Sequence, residues 1–192
     1  SGEIFSHKVE KEISKREKIY DSGIIDFNWS SNLEQIFAIT KEELLSINDG
    51  KVLKSLKIIN PLSSVFPVET LYKVVLGHND GSISLVNQNL EGDLDEYKVS
   101  DSKITSIVSH PKDPHLFIGN SNGELYTFNT ISKKTQPLGK IQKRDIKLEL
   151  IATYQYGDEK EYLISYGSDS KINIWDITQF DPDYKKYVDK RV

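Results

Sequence analysis

The 192-residue chain contains no cysteine. That removes disulfide scaffolds, thiolate metal centres and cysteine nucleophiles together, and it fits a reducing compartment. Methionine is absent too, even at position 1, which points to a processed, tagged or partial product. There are only four histidines, His7, His78, His110 and His115, and no two stand at the i, i+4 spacing around a glutamate that makes a helical zinc site. No apolar run approaches the ~18 residues of a membrane span, and the N-terminus lacks the core of a signal peptide. Helical periodicity is scarce, with room for a turn or two only after Asp181. No G-x-S-x-G elbow and no phosphate-cradling glycine loop occurs. The formal charge of −4 excludes a globally basic nucleic-acid binder, although not a local basic patch.

What is present is pleated-sheet material. Ten tyrosines and seven phenylalanines accompany Trp29 and Trp175, and the length suits one modest domain or two small ones. The segments Leu71–Asn87, His115–Asn129 and Tyr162–Ile177 share one pattern: a short apolar strand, a tight polar turn, then an alternating strand. Gln35–Asn48 is a degenerate copy, and the first seven residues match only the second half. Aligned, one column holds His7, Ile47, Val86, Phe128 and Trp175, at separations of 40, 39, 42 and 47 residues. The turn column is Ser1, Lys41, Asp80, Asn122 and Asp169, and three places on stand Ile4, Leu44, Ile83, Leu125 and Ile172. A period near 40 with internal alternation predicts four-stranded blades, at ~40–45 residues each.

The remaining strands follow from the same frame. Ile24–Trp29, Leu62–Phe66, Ile104–Ser109 and Leu148–Tyr154 are expected as innermost strands, with Val52–Leu56 and Tyr97–Val99 as outer ones. Asn48-Asp49-Gly50, Asn79-Asp80-Gly81 and Asn122-Gly123 supply residues that tolerate positive φ in tight hairpins. Pro111 closes an inner strand, because proline cannot continue a central ladder.

The stretch Tyr162–Ile177 resembles the signature of the WD-repeat family, with Trp175-Asp176 as the WD dipeptide and Asp169 as the turn aspartate. The resemblance covers nearly the whole chain, most strongly the blade ending at Asp176. It implies an all-β, WD-repeat-like β-propeller of about four blades, part of a larger ring of roughly seven. A part-blade over 1–20 would precede blades at about 21–57, 58–100, 101–140 and 141–177, with a charged tail over 178–192. Asp80, Asn122, Asp169, Phe128, Trp175 and Asp176 would be structural blade positions. The family's Gly-His dipeptide is missing before the innermost strands, since Gly77-His78 falls at a hairpin turn. Gly167 stands where a hydroxyl is usual, so the family's Asp–His–Ser/Thr–Trp network is expected to be incomplete.

Chemistry-bearing candidates are few. His110 and His115 flank one turn and read as surface histidines, and the carboxylates at Asp93, Asp95, Glu96, Glu42 and Glu43 read as solvated. Asp26 is, apart from Glu149, the only acid within an expected innermost strand, and so the one to inspect for a channel site. No catalytic, cofactor-binding or metal-binding residue is expected. Lys133, Lys134, Lys140, Lys143, Arg144 and Lys147, against Asp145 alone, give a local +5, whereas 91–101 carries a local −4. Both lie where outer strands and interblade loops are expected. The basic stretch is a solvated edge that discourages strand pairing, or a docking surface for an acidic protein or RNA.

The resemblance implies a non-catalytic scaffold or adaptor for protein–protein interactions in a multi-subunit complex, in nucleus or cytoplasm and without membrane insertion. The alternatives are an RNA-contacting subunit acting through Lys133–Lys147 and a propeller hydrolase. The missing blades are expected from the same protein or from a partner chain.

Overall fold

The computed structural model describes residues 4–9, 13–20, 23–140, 147–157 and 160–178. Their seventeen strands are β1 (Ile4–Val9), β2 (Ile13–Tyr20), β3 (Asp26–Ser30), β4 (Gln35–Ile39), β5 (Glu43–Asn48), β6 (Lys51–Lys57), β7 (Leu62–Val68), β8 (Lys73–His78), β9 (Ser82–Asn87), β10 (Asp95–Lys98), β11 (Ile104–Ser109), β12 (His115–Asn120), β13 (Glu124–Asn129), β14 (Thr135–Lys140), β15 (Leu148–Tyr156), β16 (Lys160–Gly167) and β17 (Ile172–Asp176). One 3-10 turn, Glu69–Leu71, interrupts them. Among the described residues no helix is long and apolar enough to cross a membrane.

Every sheet runs in chain order: β1-β2, β3-β4-β5-β6, β7-β8-β9-β10, β11-β12-β13-β14 and β15-β16-β17. This order reflects hairpins whose turns the sequence specifies. Asp49 and Gly50 take φ of 46° and 71°, and Gly123 takes 74°, the left-handed conformations that tight hairpins require. Gly81 has a stricter reason. Its φ is +85°, a Cβ there would collide with the Ser100 carbonyl, and its own carbonyl accepts both Val99 N–H and Ser100 N–H. At the start of β11 the described strand runs as the sequence indicates, ending at Ser109 before His110-Pro111.

The chain forms two compact units, 1–79 with 84–96, and 80–83 with 97–192. In the first unit, Phe37, Ile39, Leu44, Leu62, Val74, Leu76 and Val86 form one apolar core between the β3–β6 sheet and its successor. Ala38, Leu45 and Ile47 point the other way and pack with Tyr20, Ile24 and Ile36. Both faces of the β4–β5 hairpin are therefore buried, as in a sheet stacked between neighbours. In the second unit Ile104, Phe117, Phe128, Leu148, Ile151 and Leu163 are buried. Gly119 on β12 leaves room for nothing larger, because a Cβ there would run into the side chain of Leu148 on β15.

Innermost strands are tied across sheets by side chains that accept backbone N–H groups. Asp26 on β3 accepts from Val65 N–H on β7 at 2.9 Å, and Ser106 on β11 accepts from Ile151 N–H on β15 at 3.0 Å. Thr153 adds a bond from its hydroxyl to the Ser109 carbonyl at 3.0 Å.

Candidate functional site

The basic stretch, read as one patch in the sequence, is divided by the strand it contains. Lys133 and Lys134 are exposed in the turn before β14, with Lys133 at a φ of 61° and its ammonium 5.7 Å from the centre of the Tyr97 ring. Lys140 is the last residue of β14, paired in register with Glu124. A six-residue strand separates the two ends by roughly 20 Å at ~3.3 Å per residue. Lys147 is exposed beside β15, its N–H donating to Ser168 Oγ. Lys143 and Arg144 lie outside the described residues.

Three of the carboxylates noted in the sequence, Asp26, Glu43 and Glu96, have structural duties. Asp26 Oδ1 accepts from Phe27 N–H and Oδ2 from Val65 N–H, both at 2.9 Å. Burial holds its pKa above the ordinary carboxyl value, against the lowering pull of those two N–H groups. Glu43 accepts from the Tyr20 hydroxyl and Glu96 from Asn60 Nδ2.

His110 and His115 are buried, not surface residues as their turn sequence suggests. His110 Nδ1 accepts from Lys112 N–H and Asp113 N–H, which closes the turn from inside. Its Nε2 lies 3.5 Å from Glu161 Oε2, and Lys112 Nζ lies 2.7 Å from Glu161 Oε1. Burial lowers the His110 pKa, opposed by the charges of Asp113 and Glu161. His115 Nε2 meets Asn129 Nδ2 at 3.0 Å. A turn rich in proline and charge gives no sign of this in sequence, because Glu161 comes from the next sheet, far along the chain. His78, the last residue of β8, is likewise fully buried, its ring bridging the Asn60 carbonyl and Ser84 Oγ at 3.1 and 2.6 Å.

The sheet β15–β17 differs from the others. Leu44, Ile83 and Leu125 are 0, 0 and 3% exposed, whereas Ile172 in the same repeat column is 67% exposed. Leu150, Tyr154 and Ile174 are exposed as well. Tyr154, Tyr162, Ile164, Ile172, Ile174 and Trp175 line a hollow of about 570 Å³. Trp175, expected between neighbouring blades, is only half-buried, and the register that pairs it with Leu163 puts it on the face of β17 opposite Ile172 and Ile174.

No protein-family model matches the sequence, and no curated protein matches it. Solved structures do. Sqt1 from Chaetomium thermophilum superposes with a TM-score of 0.70 at 16% identity, over 91% of this chain and 50% of that one. The WD40 repeats of RRP9 superpose with a TM-score of 0.67 at 11% identity, over 84% of this chain and 50% of that one. A computationally designed protein, Ika4, gives 0.61 at 14% identity, over 82% of this chain and 92% of that one. The fold is that of WD-repeat propeller blades. The chain spans about half the length of the natural WD proteins it matches.

Seen as WD repeats, the blade positions explain their residue types. Asp80 Oδ1 accepts from Ser82 N–H and its hydroxyl, and Asp169 Oδ1 accepts from Lys171 N–H, the same turn-closing bond in two repeats. In the repeat between them that role falls to Asn120, which accepts from Asn122 N–H and Glu124 N–H. Asn122 instead donates to Ser102 Oγ at 2.7 Å. Phe128 is fully buried with its ring centre 5.1 Å from that of Tyr97. Trp175 Nε1 donates to Ser165 Oγ at 3.2 Å, so a hydroxyl partner exists on β16, two residues before Gly167. Asp176 Oδ1 accepts from Thr178 N–H.

Proposed function

We propose that this chain is a non-catalytic platform of propeller blades that holds other protein subunits together in an intracellular complex. One observation carries the reading: the repeat column buried at Leu44, Ile83 and Leu125 lies bare at Ile172, beside exposed Leu150, Tyr154 and Ile174. A contiguous apolar face on a rigid sheet is a surface made for protein contact. Its occupant on this reading is a partner chain, a subunit of that complex. The scaffold role draws support from the neighbours, one of which is Sqt1 bound to the N-terminus of ribosomal protein L10.

The basic stretch is the second contact. Lys133 and Lys134 precede β14, Lys140 ends it and Lys147 stands beside β15, an arrangement that suits separate acidic side chains better than a continuous phosphate track. Affinity purification of the intact protein with mass spectrometry tests the platform. A stable set of co-purifying subunits supports it, and recovery of the protein alone counts against it. Titrating association against salt then separates RNA from protein, since phosphate contacts give a steep log–log slope.

A further inference from the structure

Strand register assigns each inner-strand residue to one face of its sheet. Phe27 pairs with Ala38 and Trp29 with Ile36, so both rings lie on the face of β3–β6 that carries Ala38, Leu45 and Ile47. Tyr20 and Ile24 pack against Ala38, Leu45 and Ile47, yet Phe27 is 63% exposed and Trp29 more than half exposed. The counterparts of Phe27 in the other sheets are Val65 opposite Leu76, Ile107 opposite Ile118 and Ile151 opposite Ser165, and they are 3, 6 and 3% exposed. Within the first unit the structure shows what such a residue packs on. Val65 and Leu76 share one core with Phe37, Ile39 and Leu44, which lie on the other face of the β3–β6 sheet. The matching face of β15–β17 carries Ile172, which stands in the repeat column of Leu44, together with Ile174, Leu150 and Tyr154, all at least half exposed. Among the described residues the chain thus leaves bare one face of each kind, and elsewhere in the fold each kind is covered by the other.

We propose that the partner at the bare face is a second copy of this chain: the Ile172 face of one copy packs on Phe27 and Trp29 of another, repeating the packing that joins Leu44 and Val65 in one core. The backbone of β3 favours face packing over the addition of a strand. Phe27 N–H is held by Asp26 Oδ1 and Trp29 N–H by Asn28 Oδ1, each at 2.9 Å. Burial of the two rings therefore strands neither donor, and neither donor is open to an incoming strand. The receiving hollow of Tyr154, Tyr162, Ile164, Ile172 and Ile174 has no charged side chain among its described lining residues. Such a surface opposes a polyanion and suits aromatic rings, each of which buries ~150–250 Å² when enclosed. Because the two faces differ, the contact is heterologous, running head to tail from copy to copy.

The inference rests on the protein-platform reading and names the partner chain at its bare face. Sedimentation velocity of the full chain over a concentration series reads self-association directly. Phe27→Glu/Trp29→Glu and Ile172→Glu/Ile174→Glu should each weaken it at least tenfold, with circular dichroism reporting that the sheets persist. Phe27→Ser and Ile172→Ser, milder changes on the same faces, replace either variant if its sheet signal is lost. Mixed one to one, the two folded variants should form a heterodimer that grows no further, since each keeps the face that the other lacks. A wild type that stays monomeric at every concentration overturns the proposal. So does a mixture that sediments as two monomers, or an association that only one of the two variants weakens. If the chain is monomeric while Ile172→Glu/Ile174→Glu still releases other co-purifying subunits, the second copy is excluded and the platform reading stands.

Discussion

Removal of the Asp26 carboxylate tests whether the innermost strands are built for support. Asp26 accepts two backbone N–H groups, from Phe27 on its own strand and from Val65 on β7, each at 2.9 Å. Val65 is buried, so Asp26→Ala leaves an unpaired N–H at the joint between two blades. Hydrogen bonds to charged groups contribute about 1.5–3 kcal/mol, and the desolvation that raises the Asp26 pKa offsets part of this. The expected net loss is about 1–2 kcal/mol for Asp26→Ala, and less than ~1 kcal/mol for Asp26→Asn, which keeps one acceptor for Val65. The pH dependence has a definite sign. A carboxyl whose pKa is raised on folding contributes stability that is present below its unfolded value near 3.8 and is lost as pH rises through the folded value. Wild type should therefore gain stability relative to Asp26→Asn as the pH is lowered towards 3.8. Urea denaturation at a series of pH values measures both effects. An unchanged midpoint for Asp26→Ala, or a stability that rises on adding a divalent metal only when Asp26 is present, would refute the structural role.

Gly81→Ala should cost about 2–4 kcal/mol, from left-handed strain and collision with the Ser100 carbonyl, and thermal melting reads it directly. Burial holds the folded pKa of His110 below its unfolded value of 6.5, against the opposing charges of Asp113 and Glu161. Stability should then fall as pH drops through and below 6.5, and His110→Asn should flatten that slope in melts taken across the range. Trp175→Phe keeps the ring volume but loses the bond to Ser165 Oγ, at a cost of about 1 kcal/mol. A loss several times larger would mean that the ring is more enclosed than its half-buried position indicates.

Much of the architecture is legible in the sequence because it is local. Alternation places β4, β5, β8, β9, β12 and β13, and the Asp80-Gly81 and Asn122-Gly123 turns fix the β8–β9 and β12–β13 registers, so the aliphatic column at Leu44, Ile83 and Leu125 reads directly as core. What the repeat could not convey depends on partners far along the chain. His110 reads as a surface turn residue until Glu161 arrives from the neighbouring sheet. Trp175 reads as core because its column is buried elsewhere, yet on β17 it is only half-buried. The basic stretch reads as one patch because residues adjacent in sequence are counted together, while the strand between Lys134 and Lys140 carries them apart.

The central claim is that the bare face of β15–β17 is a protein-contact surface, and the double variant Ile172→Glu/Ile174→Glu tests it most directly. Both side chains are at least half exposed, so the substitutions should shift stability by no more than about 0.5 kcal/mol. Quantitative affinity purification of the intact protein should nevertheless show the co-purifying subunits lost or reduced at least tenfold. Subunits recovered at wild-type levels with a folded double variant would contradict the account.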